Sequence, residues 1–130
     1  MLVLDENLPL DQQHWLRKWR IRFRVVGLDV GAFGAPDESL LPVMQKPRQP
    51  TFFTLDQDFY QPAWAHARYC LVWLDVQRRD AAGFVRRFLR HPGFDTRAGR
   101  MGIIARVKPE GIRFWRVGAR AQQSLPWPPQ

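Results

Sequence analysis

The sequence predicts an α/β fold with a mostly parallel central sheet, and three observations predict it. Four short apolar runs each pass directly into an acid: residues 2–4 into Asp5 and Glu6, 23–28 into Asp29, 52–55 into Asp56, and 70–74 into Asp75. Runs of that length, rich in Val, Leu, Phe and Trp, read as strands buried on both faces, which is the pattern of parallel sheets. Segments with helical spacing lie between several of them. Near the end, two further apolar runs flank Lys108, Pro109, Glu110 and Gly111, with Pro second and Gly fourth, and this spacing predicts a β-hairpin.

Each element follows in order. Residues 2–4 form the first strand. Pro9 opens a helix at its first turn, where a missing N–H costs nothing. Trp15, Leu16 and Trp19 give that helix an apolar stripe, with Arg17, Lys18 and Arg20 on the other side. Residues 22–28 alternate partly and predict a second strand ending near Gly27 and Asp29, and the glycines of 31–36 predict a loop. A second helix carries Leu40, Leu41 and Met44. With Ser39 as its N-cap, Pro42 falls in the tolerated first turn, whereas a cap at Asp37 would cost a hydrogen bond or force a distortion.

Residues 51–55 form the third strand and 61–67 a short helix after Pro62. Residues 69–76 are the most apolar stretch and predict a strand in mid-sheet. Asp80 caps a helix striped by Phe84, Val85, Phe88 and Leu89, with Arg86, Arg87 and Arg90 opposite. Residues 101–107 and 112–117 are the two hairpin strands. One domain over 1–120 and a Pro-rich C-terminal tail over 121–130 complete the division.

At 130 residues the chain holds one domain with a sizeable core. Its net charge is +8, and every basic residue except Lys18, Lys46 and Lys108 is arginine, the side chain that forks onto phosphate. A polyanionic partner is expected. The single cysteine, Cys70, lies in an apolar run, so no disulfide forms within the chain and a reducing, cytoplasmic setting is expected. No run approaches the roughly 18 apolar residues of a membrane span. His14, His66 and His91 have no ligand spacing, and there is neither a Gly-rich phosphate loop nor a serine or cysteine nucleophile arrangement.

The acids carry the chemical signal. At the carboxyl edge of a parallel sheet they converge on one rim, where open α/β folds bind ligands. Grouped carboxylates repel, and a divalent cation relieves the cost. Asp56 and Asp58, two apart, face one side with the Thr54 hydroxyl if the strand continues through Gln57, and Asp5 completes the pocket from a neighbouring strand. Each acid alone also suits a turn or a helix start, Asp37 and Glu38 included. The joint pattern is what points to a metal.

Asp5, Glu6, Asn7, Leu8 and Pro9 form a D-E-N-L-P opening, Gly34 with Asp37 and Glu38 a G-x-x-D-E helix start, and Thr54, Asp56, Asp58 and Phe59 a T-x-D-x-D-F run. In these motifs the chain resembles the short PIN-like proteins, relatives of the PIN nucleases. The resemblance implies a three-layer α/β/α PIN-like fold and an acidic Mg²⁺ or Mn²⁺ site. It also implies metal-dependent cleavage of RNA, by a protein that is often a dimeric toxin paired with an antitoxin. On this reading Asp5, Asp56, Asp58 and Glu38 are catalytic, Asp5, Asp56, Asp58 and Asp37 are metal ligands, and Arg17, Arg20, Arg86, Arg87 and Arg90 contact nucleic acid. Pro42 leaves the aim of Asp37 and Glu38 open, and the late acid usual in PIN nucleases has no clear counterpart unless Asp75 serves.

Two rivals share some features. A catalytically degenerate PIN-like module would bind RNA or a protein through its arginines alone. A receiver-type phosphoacceptor domain also has Asp5 with Glu6, Asp56, and Lys108 with Pro109. Receivers carry Ser or Thr after the fourth strand, where this chain has Asp75, and continue from Lys-Pro into a helix, where this chain returns as a strand.

Overall fold

The computed structural model describes residues 1–26 and 49–129. Among them lie seven strands: β1 (Leu2–Asp5), β2 (Arg24–Val26), β3 (Thr51–Thr54), β4 (Cys70–Leu74), β5 (Ile103–Lys108), β6 (Gly111–Arg116) and β7 (Gln123–Leu125). They form one sheet in the order β2-β1-β3-β4-β5-β6-β7. The pairs from β2 through β5 are parallel, and β5 with β6 and β6 with β7 are antiparallel. With helices α1 (Leu10–Lys18), α2 (Ala81–Arg90) and α3 (Arg97–Arg100), the protein is α/β with a mostly parallel sheet.

Successive strand residues point to opposite faces, and here both faces are buried. Leu4, Phe53, Val72 and Ala105 pack under Leu16 of α1 and Val85 and Phe88 of α2. Val3, Phe52, Leu71 and Ile104 face the other way, under Phe59, Trp64 and Tyr69. Phe52 and Phe53 are neighbours, both fully buried, and serve different layers. Each such ring contributes about 1.5–3 kcal/mol. This two-sided demand is why the runs are continuously apolar.

Several elements differ from the sequence expectation. Pro9 is the residue before α1, at its cap position. Residues 61–67 hold only a 3₁₀ turn, Pro62–Trp64. Asp80 closes another 3₁₀ turn, and its side chain makes no capping bond to α2. The Ala82 N–H instead donates to Gln12 Oε1 of α1 at 2.9 Å, so one helix caps the other. The predicted loop over 31–36, the helix around Leu40, Leu41 and Met44, Pro42 and Asp29 lie outside the described residues.

The Pro-rich end is tied down. Residues 123–125 extend the sheet as β7, and Trp127 Nε1 donates to the Lys108 carbonyl at 2.8 Å. Gly111 permits this: a Cβ there would stand 2.9 Å from the Leu125 carbonyl oxygen. At the amino edge of the sheet, Arg100 is only 6% exposed, and no carboxylate among the described residues pairs with it. Its Nε donates to Thr51 Oγ1 and its Nη1 to the Phe94 carbonyl, both at 2.9 Å. Burial lowers its pKa, and burial pushes the Cys70 thiol up to about 12, which leaves it inert.

Candidate functional site

Asp5 ends β1 and Thr54 ends β3, one register step beyond the Leu4–Phe53 pair. Thr54 Oγ1 donates to Asp5 Oδ2 at 2.7 Å. The same oxygen accepts the Asp56 N–H at 3.0 Å and Asn7 Nδ2 at 3.3 Å. Two donors pointing into the hydroxyl leave its own proton for the carboxylate, so the direction of this network is fixed. Asn7 Oδ1 accepts the Leu55 N–H at 3.3 Å. The opening motif and the T-x-D motif, some fifty residues apart in sequence, are thus laced together atom by atom.

The chain leaves these two strand ends toward opposite faces. After β1 it enters α1, which packs with Leu4 and Phe53, and after β3 it enters the turn carrying Phe59, which packs with Val3 and Phe52. Strand order reverses between β1 and β3. Such a divergence at the carboxyl edge is the usual ligand position in open α/β sheets.

The electrostatics single out Asp5. It is 4% exposed, and its pKa is raised, first by desolvation and further by the charges of Asp56 and Glu6, against the lowering effect of the Thr54 and Asn7 hydrogen bonds. Among the described residues the ion pair is Arg106 with Asp75, so no basic group compensates Asp5. The neutral Thr54 hydroxyl and Asn7 backbone amide hold it.

Asp56 follows Leu55 at the rim and caps the 3₁₀ turn Gln57–Phe59 by accepting the Asp58 N–H at 2.9 Å. The strand therefore does not continue through Gln57, because turn chemistry replaces strand chemistry at this point. The expectation that a two-residue strand spacing aligns Asp56 with Asp58 is corrected accordingly, and Asp58 is exposed. Asp37 and Glu38 lie outside the described residues.

Asp75, at the end of β4, is held by Arg106, whose Nε and Nη2 reach Asp75 Oδ2 at 3.0 and 2.7 Å. Arg106 interrupts an otherwise apolar strand, and that interruption was the signal in the sequence that Asp75 has a partner. Asp56 and Asp75 line an open pocket of about 320 Å³ with Gln57, Trp73 and Arg78.

Three of the five predicted nucleic-acid arginines lie on aromatic rings on the helical side. Arg17 is 4.9 Å from the Phe23 ring centroid, Arg86 3.8 Å from Trp19, and Arg87 4.4 Å from Trp127. Such stacking leaves the guanidinium edges free. Arg20 and Arg90 are exposed, Arg20 with φ of 63° just past α1. A pocket of about 300 Å³ between α1 and α2 is lined by Trp15, Trp19, Phe84 and Arg87, and neither Asp5 nor Asp56 reaches it.

Asp5, Asp56, Thr54 and Asn7 offer hard oxygen donors, the type that suits Mg²⁺ or Mn²⁺. Among the described residues no three His, Cys, Asp or Glu side chains gather to hold an ion. Comparison with protein-family models, with curated proteins and with solved structures returned no match.

Proposed function

We propose that the protein is a divalent-metal-dependent ribonuclease of the PIN-like type, a three-layer fold closed by a C-terminal hairpin, and acts as the toxin of a toxin–antitoxin pair. The reading rests on one observation above all: Asp5 is buried with no cation partner among the described residues, beside Asp56, at the β1/β3 junction where strand order reverses. A group held at such electrostatic cost is a functional-site candidate.

In this reading Asp5 and Asp56 hold Mg²⁺ or Mn²⁺, with Asp58, and with Asp37 or Glu38 from the segment between β2 and β3, as further ligands or a water-orienting base. The ion when bound polarises a phosphoryl oxygen and makes a bound water more acidic. Thr54 fixes one Asp5 oxygen, and Asp56 commits Oδ1 to the Asp58 N–H and keeps its other oxygen for a ligand. Arg17, Arg20, Arg86, Arg87 and Arg90 attract the RNA backbone, and an antitoxin and a second copy of the chain are its protein partners. The test is cleavage of structured and single-stranded RNA with and without Mg²⁺ or Mn²⁺. Metal-dependent cleavage lost in Asp5→Asn supports the reading, and full activity of that variant refutes it.

A further inference from the structure

The rim acids belong to a longer row. Level with Thr54 on β3 stand Trp73 on β4, Arg106 on β5, Arg113 on β6 and Ser124 on β7. Paired residues share a face, so the row runs from Asp5 across the sheet on the side of Phe59 and Trp64. At about 4.8 Å per strand, Asp5 to Arg113 covers roughly 19 Å. Near Asp5 this face is roofed by the turns after β3. Toward β6 it is open: Trp73, Tyr60 and Trp115 are half-buried and Arg113 is exposed.

These side chains touch one another. The Tyr60 and Trp73 rings are 5.8 Å apart, Arg106 lies 4.6 Å over Trp73, the Tyr60 hydroxyl donates to Gln122 Oε1 at 2.6 Å, and Trp115, paired with Ile104, stands on the same face of the sheet. Asp75 is already bound to Arg106, and Arg113 has no carboxylate partner among the described residues. A solvated sheet face is usually furnished with Thr, Lys or Glu. This one presents flat rings and guanidinium groups, on a chain of net charge +8.

We propose that this strip of β4, β5 and β6 docks single-stranded nucleic acid, with Tyr60 and Trp115 as stacking platforms and Arg106 and Arg113 on phosphates. Rings stack any base and arginines take the backbone, so the chemistry suits a single strand whose bases can splay, not a duplex. The strip deepens the ribonuclease reading and rests on it for its role, since the same row leads a strand toward Asp5. It is distinct from the arginines stacked on α1 and α2.

The test is fluorescence anisotropy with a labelled oligouridylate of about 12 nucleotides in EDTA, so that binding is read without cleavage. Trp115→Ala should weaken binding about tenfold and Trp115→Phe should restore most of it. Arg113→Ala should flatten the log–log salt dependence by about 0.7, while Arg97→Ala, an exposed arginine of α3 outside both sets, stays within about twofold, with circular dichroism confirming each fold. Wild-type affinity in both Trp115→Ala and Arg113→Ala overturns the strip, as does equal binding of a duplex. Loss of a dimer in Trp115→Ala without any change in oligonucleotide binding overturns it in favour of self-association. A protein that binds through the strip yet cleaves nothing with Mg²⁺ or Mn²⁺ retains the strip and refutes the nuclease. Cleavage that needs Asp5 but ignores Arg113 and Trp115 does the reverse.

Discussion

The β1/β3 junction and the β4/β5 junction start from the same local sequence, an apolar strand running into aspartate at the carboxyl edge, and end in opposite electrostatic states. Asp75 is partly exposed and held by Arg106 from the next strand. Asp5 is buried and held by the Thr54 hydroxyl and the Asn7 backbone amide. One carboxylate is neutralised by a neighbouring strand and the other has no cation partner among the described residues. An acid after a strand is therefore not itself a signal, and what the neighbouring strand places at the same level decides its character.

The sharpest way to break this contrast is to exchange each acid for its amide. Asp5→Asn should cut RNA cleavage about 100-fold or more, and Asp75→Asn should leave it within about twofold, as read by single-turnover cleavage. Next in size is Thr54→Val, which strands a buried carboxylate and the Asp56 N–H at a cost of about 2 kcal/mol in urea unfolding, with Thr54→Ser recovering most of it.

Stability against pH gives a third measure. The folded pKa of Asp5 lies above the unfolded value of 3.8, so the native state holds the proton more tightly, and Asp5 lowers stability as pH rises from that value through the folded pKa. Asp5→Asn should thus melt higher than the wild type at pH 7, with the gain vanishing below about pH 4. The smallest effect belongs to the compensated pair: Arg106→Met should cost only about 0.5 kcal/mol, and less in high salt. A loss of several kcal/mol there would mean that Asp75 depends on its partner as Asp5 depends on Thr54.

Much of the sheet was legible because burial on both faces writes itself as unbroken apolar runs, as at Phe52 and Phe53 or in β4. β7 was not, since Gln123 and Ser124 are exposed edge residues whose pairing is carried by backbone groups. At the site, Asp5, Thr54 and Asp56 could be read from their place after strands. Asp58 could not, because Asp56 ends the strand by accepting its N–H. The Gln12 cap on α2 and the burial of Arg100 leave no trace in periodicity, being contacts between segments far apart in the chain.

β3 is only four residues long, Thr-Phe-Phe-Thr, and its two threonines serve opposite ions: Thr51 accepts from the buried Arg100, and Thr54 donates to the buried Asp5. Hydrophobic patterning alone forbids a slip of β3 by one position, since that would swap its faces. A slip by two keeps the faces and would pass that check, yet it would pull each hydroxyl away from its ion and leave a phenyl ring at one end in its stead. The strand is indexed at both ends by charge, and the alignment of the rim to within a single residue is inherited from that lock.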